Sequence, residues 1–168
     1  MNYELSGNKV KFTKTIAPEI DNIMTFERIN AAFVHGYTKA RHLELLGTSD
    51  CLHLSIRRID NDHLIGHMIV FGLDSNHDSL EFRRITISEK GQGYGRDAIR
   101  LLKRLCFEQL KFHRLWFDVF DDNTRAIGLY ESEGFVKEGV LRECIKTHDG
   151  FRSLRVYSML KNEYTEHA

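Results

Sequence analysis

The glycine-rich segment at residues 90–96, Lys-Gly-Gln-Gly-Tyr-Gly-Arg, limits the possible folds of this chain more than any other stretch. It lies between residues 80–87, where apolar and polar positions roughly alternate as in a strand, and residues 93–110, where apolar positions recur on one face of a helix. Glycines at alternate positions let the backbone approach a ligand closely and leave several N–H groups free at the helix start. Those donors and the helix dipole suit an anionic phosphate group. The segment therefore predicts a strand, a phosphate-binding turn and a helix in succession.

Two other phosphate-binding motifs compete for this segment. A Walker loop requires Gly-Lys-Ser or Gly-Lys-Thr after its second glycine, and the sequence Gly95-Arg96-Asp97 does not supply it. A dinucleotide-binding turn requires a third small residue where Arg96 stands, although Asp118 lies near the usual distance for an acid that binds a ribose. A nicotinamide-nucleotide-binding protein therefore remains an alternative.

The remaining patterns predict a single α/β domain over residues 1–168 with a mixed sheet, because no Ser/Gly-rich linker or repeat marks a boundary. Residues 31–46 have helical spacing that Gly36 interrupts, and the imperfect alternation in residues 80–87 leaves room for a β-bulge. The predicted strands are residues 10–13, 51–59, 64–71, 80–87, 114–120, 135–145 and 151–160, and the predicted helices are residues 18–28, 31–46, 93–110 and 123–133.

Composition argues against several classes of partner. Lys plus Arg and Asp plus Glu both total 24, so the formal net charge is zero and neither a nucleic acid nor a membrane is expected as a partner. No apolar run is long enough for a membrane span or a signal peptide, which predicts a cytoplasmic protein. The histidines are scattered, and no metal site is expected. Three cysteines are expected to be buried in a reducing compartment: Cys51, Cys106 and Cys144.

Two motifs resemble the GNAT (GCN5-related) N-acetyltransferase superfamily. Residues 90–95 are similar to its pyrophosphate-binding signature Q/R-x-x-G-x-G/A, with Lys90 in the place of the usual Gln or Arg. Residues 123–135, Asn-Thr-Arg-Ala-Ile-Gly-Leu-Tyr-Glu-Ser-Glu-Gly-Phe, match the second half of many GNAT domains almost residue for residue. The resemblance covers residues 80–157 and is closest to the branch of ribosomal-protein N-terminal and spermidine acetyltransferases.

This resemblance implies both a fold and an activity. The fold would be α/β, with a mixed, mostly antiparallel sheet of about seven strands, about four flanking helices and a splayed pair of parallel strands that forms the acetyl-CoA cleft. The activity would be direct transfer of an acetyl group from acetyl-CoA to a primary amine in a ternary complex. The amine would belong to a protein or peptide N-terminus or to a small molecule, and a homodimer is compatible with the resemblance. A non-catalytic acyl-CoA-binding module is the second alternative.

The resemblance also assigns roles to individual residues. Tyr130 would protonate the leaving sulfur and Asn123 would bind the pantetheine arm, and their spacing places both on one helical face. From the sequence alone, Tyr130 could equally be an ordinary core tyrosine. The main chain of residues 85–87 would pair with pantetheine and polarise the carbonyl. The full set of predicted cofactor-binding residues is Ile85, Thr86, Ile87, Lys90, Gly91, Gln92, Gly93, Tyr94, Gly95, Arg96 and Asn123.

The acceptor side of the reaction is less readable. Glu81 is a carboxylate in an apolar stretch, so it could accept the amine proton if burial raised its pKa, or it could pair with Arg83. Spermidine enzymes hold their polycation with acidic early helices, whereas residues 31–46 contain Lys39, Arg41 and only Glu44. That departure favours a peptide or protein N-terminus over a polyamine.

Overall fold

The computed structural model describes residues 3–165 and contains eight strands in one sheet. The strands are β1 (Leu5–Ser6), β2 (Val10–Lys14), β3 (Cys51–Arg58), β4 (Leu64–Phe71), β5 (Ser79–Ile87), β6 (Arg114–Phe120), β7 (Val136–Thr147) and β8 (Gly150–Leu160). The α-helices are α1 (Ile20–Ile29), α2 (Lys39–Leu46), α3 (Tyr94–Arg104) and α4 (Thr124–Ser132). The sheet order is β1-β2-β3-β4-β5-β6-β8-β7, and only β5 and β6 are parallel neighbours. The predicted mixed, mostly antiparallel α/β fold is confirmed, with one strand more than expected.

The sheet is covered on both faces, and the two faces differ in chemistry. Leu52, Leu54 and Ile56 of β3 join the main apolar core beneath α3. The polar residues His53 and Ser55, which alternate with them, are also buried. They are covered because α1 and α2 pack on that face. The second layer therefore has a polar interior.

Helix α3 follows the predicted amphipathic pattern and ends in a π-helical turn at Leu105–Gln109. Its N-terminus is tied to the start of the chain by the buried carboxylate of Asp97. This group accepts backbone N–H bonds from Asn8 at 3.2 Å, Lys9 at 2.8 Å and Val10 at 2.9 Å. The helix that carries the glycine turn is thus fixed against the first hairpin of the sheet.

Two local predictions are wrong. The helix predicted over residues 31–46 covers only its second half, because the Thr38 side chain caps α2 by accepting a hydrogen bond from the Arg41 N–H group. Residues 31–38 form a loop instead. Cys144 is exposed on β7, whereas Cys51 and Cys106 are buried as expected. Within residues 3–165, no helix has the length and apolar character required to cross a membrane.

The parallel strands β5 and β6 separate soon after they begin. They pair only at Ser79↔Arg114, Leu80↔Leu115 and Glu81↔Trp116, although both strands continue for several residues beyond. The pairing of β4 with β5 also shifts register between Ile69 and Val70, which leaves Arg83 as the extra residue of a β-bulge. The predicted splay and the predicted bulge are both confirmed.

Candidate active site

The diverging strands leave a cleft of about 1130 Å³ between them. Its walls are β5, β6, the glycine turn at residues 90–96, α4 and the α1–α2 loop, which comprises residues 30–38. Thr86 and Gln92 lie outside its lining, and the Thr86 hydroxyl instead lies 2.6 Å from His67 Nδ1. The predicted site residues that line the cleft are Glu81, Ile85, Ile87, Lys90, Gly91, Gly93, Tyr94, Gly95, Arg96, Asn123 and Tyr130.

The glycine turn offers the cleft a row of main-chain donors. Gly91 has φ of 81° and Gly93 has φ of 82°, the left-handed region that glycine adopts without strain. Gly93 is the N-cap of α3 and has no side chain to bond the first turn. Within residues 3–165, the N–H groups of residues 91–96 donate no hydrogen bond. This arrangement can bind an anion, as the sequence predicts.

The cationic side chains near the glycine turn differ in whether the protein balances their charge. Arg96 donates to Glu133 Oε1 at 2.6 Å and to the Ser132 hydroxyl at 3.1 Å, so its charge is balanced within the protein. Burial alone would raise the pKa of Glu133, but hydrogen bonds from Arg100, Lys103 and Arg96 hold it below its usual value. The other flanking cations are Lys90, which has no ion-pair partner in the described part of the chain, and Lys9, whose Nζ donates to the Gln92 carbonyl at 2.8 Å.

Tyr130 is both a core residue and a cleft residue. Its ring packs on Phe117 with centroids 4.3 Å apart and on Phe82 at 6.1 Å, and the residue is only 6% exposed. Burial raises the pKa of its hydroxyl above the usual value for tyrosine, so the group keeps its proton. In the described residues this hydroxyl has no hydrogen-bond partner, although the residue lines the cleft. Tyr130 can therefore donate a proton to a ligand there.

Asn123 caps α4 and also lines the cleft. Its Oδ1 caps α4 by accepting a hydrogen bond from the Ala126 N–H group at 3.3 Å. Because only the oxygen is used, the side-chain NH₂ group remains available at the cleft. The cap fixes the start of α4, the same helix that carries Tyr130.

The two carboxylates on the splayed strands have different surroundings. Glu81 is held by Arg83 through Oε1 at 2.5 Å and Oε2 at 2.7 Å, which is the pairing that the sequence left open. Asp118 also lines the cleft, two residues beyond Trp116 on β6, and has no ion-pair partner among residues 3–165. Burial raises the pKa of Asp118, the charge of Glu81 raises it further, and Arg83 opposes both. Sequence reasoning considered Asp118 only as a ribose ligand and so missed it here.

Two arginines fasten the α1–α2 loop, which lines part of the cleft. Arg84 of β5 donates to the His35 carbonyl and lies 3.8 Å over the Tyr37 ring. Arg152 of β8 donates to the Ala32 carbonyl at 2.9 Å and lies 3.6 Å over the Phe120 ring. The loop is therefore held from both diverging sides of the sheet.

The comparison with family models matches residues 20–135 to the acetyltransferase (GNAT) family. The chain belongs to this family. The match covers more than half of the sequence and includes both motifs on which the resemblance was based, up to its last residue at position 135.

The relatives that match this chain are named as N-acetyltransferases. A spermidine N(1)-acetyltransferase of Vibrio cholerae is 30% identical over 103 residues, which cover 61% of this chain and 60% of that protein. A Bacillus subtilis protein named "Probable N-acetyltransferase YjcK" is 27% identical over 119 residues, covering 70% of this chain and 66% of that protein. The chain thus matches a little under two thirds of the length of these relatives.

A solved structure supports the fold independently. A chimera of the spermidine N-acetyltransferase SpeG from Vibrio cholerae and hSSAT superposes on this chain with a TM-score of 0.84. The sequence identity is 21%, and the alignment covers 93% of this chain and 98% of the chimera. At this identity the likeness shows the shared fold.

Proposed function

We propose that this protein is an acetyl-CoA-dependent N-acetyltransferase that acetylates a primary amine directly in a ternary complex. The observation that carries the proposal is the cleft between β5 and β6, which has the unbonded amides of residues 91–96 at one end and Tyr130 in its wall. Family membership supports the same chemistry.

The cleft residues fit acetyl-CoA without any metal. The amides of residues 91–96, with Lys90 and Lys9 nearby, would hold the pyrophosphate. The exposed main-chain edge of residues 85–87, beyond the last β5–β6 pair, would bond the pantetheine arm together with the Asn123 amide. Acetyl-CoA supplies an activated acyl group when bound. The protein's contribution is orientation, main-chain donors for the developing oxyanion, and proton transfer.

Two side chains would move the protons. The departing thiolate takes a proton from the Tyr130 hydroxyl, which stays protonated because of its burial. The amine must lose a proton to become a nucleophile, and a carboxylate on the splayed strands can receive it, directly or through water. Asp118 suits this role better than Glu81, because Arg83 already occupies both oxygens of Glu81.

The acceptor we propose is an amine attached to an apolar group, as in a peptide N-terminus. Three carboxylates line the cleft, and two of them are paired, Glu81 with Arg83 and Glu89 with Arg58. Asp118 is therefore the one unpaired carboxylate of the described lining, whereas a polyamine would require several. The adjacent wall is aromatic, formed by Phe33, Trp116 and Phe120. The spermidine acetyltransferase relative keeps a small-molecule amine as the competing acceptor.

The first test is cofactor binding followed by turnover. CoA and acetyl-CoA should raise the melting temperature, whereas NAD and ATP should raise it little. Equal shifts with all four ligands would contradict the proposed site. A shift with NAD but not with CoA would favour the nicotinamide alternative. CoA release should then be measured with spermidine and with hexapeptides that begin with Ala or Ser. Binding of acetyl-CoA without release above the acceptor-free rate would instead indicate a non-catalytic acyl-CoA-binding module. Dimer formation stays a prediction.

A further inference from the structure

Behind the acceptor wall, three histidines and a glutamate are buried in the second layer of the fold. Glu27 and His53 are 2% exposed, and His42 and His67 are fully buried. The histidine rings lie with centroids 5.2 to 5.9 Å apart. No part of the proposed transfer chemistry uses this cluster, although it lies directly beneath the α1–α2 loop.

The Glu27 carboxylate links four separate segments of the chain. It accepts from Arg84 Nη1 of β5 at 2.6 Å and from the Tyr37 N–H group of the α1–α2 loop at 2.8 Å. It also lies 3.3 Å from His42 Nε2 of α2 and 3.2 Å from His67 Nε2 of β4. Because Arg84 also fastens the loop through the His35 carbonyl, Glu27 controls the loop through two contacts.

A continuous chain of hydrogen bonds leads from Glu27 to a second carboxylate. His42 Nδ1 lies 3.0 Å from His53 Nε2, and His53 Nδ1 lies 3.0 Å from the Thr15 hydroxyl. The chain continues from Thr15 to the Ser55 hydroxyl at 2.9 Å and from Ser55 to Glu19 Oε2 at 2.6 Å. Glu19 in turn pairs with Arg57, which is partly exposed.

The hydrogens available in this chain do not match its links. Two carboxylates accept at the ends, and the four groups between them, in neutral form, carry one donor hydrogen each. The chain has one link more than it has hydrogens. One extra proton completes every link. Without it, two lone pairs face each other in a buried site, which is costly.

His42 is the natural position for this proton. As an imidazolium it donates from Nε2 to Glu27 and from Nδ1 to His53. His53 then donates to Thr15, which donates to Ser55, which donates to Glu19, so all links are satisfied.

The neighbouring titratable groups agree with this assignment. Burial first, and then the charges of His67 and His42, lower the pKa of His53 to about 3, so His53 is neutral. Burial likewise lowers the pKa of His67, against the opposing influence of Glu27. Burial alone would raise the pKa of Glu27, but His42, His67 and Arg84 hold it well below the usual range. His42 faces Glu27 and the neutral rings of His53 and His67. The Tyr37 ring lies beside it, with centroids 5.7 Å apart. Arg84 acts on His42 through its ion pair with Glu27.

We infer that Glu27 and a protonated His42 form a positioning pair that holds the α1–α2 loop against the acceptor end of the cleft. The catalytic consequence rests on the proposed function, whereas the protonation state of His42 does not. Loss of the proton as the pH rises removes one link and loosens the contact between Glu27 and α2. Acceptor binding then weakens while cofactor binding does not, since among the described residues the glycine turn makes no hydrogen bond to the α1–α2 loop.

The protonation state is testable without any activity. Nitrogen chemical shifts of ¹⁵N-histidine-labelled protein distinguish imidazolium from either neutral tautomer. At pH 6.5, His42 should have both ring nitrogens protonated, while His53 and His67 should be neutral. His77, which is exposed, serves as the internal reference. A neutral His42 at pH 6.5 in the folded protein would overturn the inference.

The variant His42→Gln separates a positioning role from a merely structural one. A glutamine can donate to Glu27, and the remaining chain from His53 to Glu19 then has as many hydrogens as links. The amine's own ionisation changes the acceptor KM equally in both proteins. Between pH 6 and 8.5, the ratio of the wild-type KM to the His42→Gln KM for the acceptor should therefore rise by about tenfold, the cost of one buried link left without its hydrogen. The KM for acetyl-CoA should stay flat in both proteins. His77→Gln is the matched control and should behave as wild type.

The acceptor probes are spermidine and the Ala-initiated hexapeptide, whichever releases CoA. A His42→Gln protein with the wild-type pH profile, or parallel changes in both KM values, would count against the inference. If neither probe releases CoA, the proposed function fails, and the nitrogen shifts still decide the protonation of His42.

Discussion

The two ends of the cleft are built in opposite ways. The proposed phosphate end presents main-chain N–H groups from six consecutive residues, 91–96, which follow directly from the local sequence. The proposed acceptor end depends on side chains from distant segments, in which Glu27 and Arg84 are held together through a buried network. A site made from one contiguous turn leaves its signature in the sequence, whereas a site made from separate segments leaves none until the chain is folded.

The largest expected effect is on kcat, in a variant of Tyr130 in the wall of the cleft. Tyr130→Phe keeps the ring packed on Phe117 and removes only the hydroxyl, so kcat should fall by about 10² to 10⁴. The KM for acetyl-CoA should not change, because the glycine turn is untouched. Steady-state kinetics measures kcat and KM, and a thermal melt checks that the variant is folded. Tyr157→Phe is the matched control, because Tyr157 is also buried but its hydroxyl donates to Glu131. A Tyr130→Phe enzyme within about threefold of wild type would remove this residue from proton transfer.

The next effect tests the acceptor end. Asp118→Asn should lower kcat/KM for the amine by about 10², because the carboxylate that we propose as the proton acceptor is lost. The raised pKa of Asp118 places the acid limb of the wild-type profile above the usual range for an aspartate, with activity rising as the pH rises through it. This limb should disappear in Asp118→Asn. In Glu81→Gln it should persist with a smaller loss, because Arg83 occupies Glu81. The opposite ranking would assign the base to Glu81.

A third prediction concerns the support behind the phosphate end. Asp97→Asn leaves the side chain with one acceptor oxygen for three N–H groups, so the free energy of unfolding should fall by about 1–3 kcal/mol. Urea unfolding measures this loss. Asp60→Asn, on an exposed loop, is the control and should change stability little. An Asp97→Asn protein as stable as wild type would show that these bonds do not fix α3.

The smallest effect comes from the turn itself. Gly93→Ala adds a Cβ that lies 3.2 Å from Lys9 Nζ at a left-handed φ, a conformation that costs about 1–2 kcal/mol for an L-residue. The affinity for CoA should drop about tenfold, as measured by calorimetry. Gly91→Ala has the same type of φ and no neighbour within 4 Å, so its loss should be smaller. Equal losses of CoA affinity in the two variants would mean that backbone strain alone causes them and that the contact with Lys9 contributes nothing.

The sequence predicts the parts of this molecule whose cause is local. The order of strands and helices and the glycine turn follow from periodicity and motifs, and the splay of β5 from β6 follows from the family resemblance. The α1–α2 loop does not, because the helical spacing of residues 31–46 cannot reveal that Thr38 caps a later start. Neither His53 nor Ser55 could be placed inside, since alternation marks them as outward until a second layer covers them. The pairing of Glu27 with Arg84 joins positions 57 residues apart, so no local pattern predicts it.

The bonds from Asp97 to residues 8–10 also affect the order in which the protein acquires its cofactor site. They join positions 87 to 89 residues apart, so α3 can form locally long before its N-terminus is fixed. Closing such a long loop is slow compared with forming a helix, because its entropy is lost before the contact is gained. During refolding, helical signal should therefore appear first and the capacity to bind CoA should follow. CoA would then recognise only chains whose first hairpin has already docked.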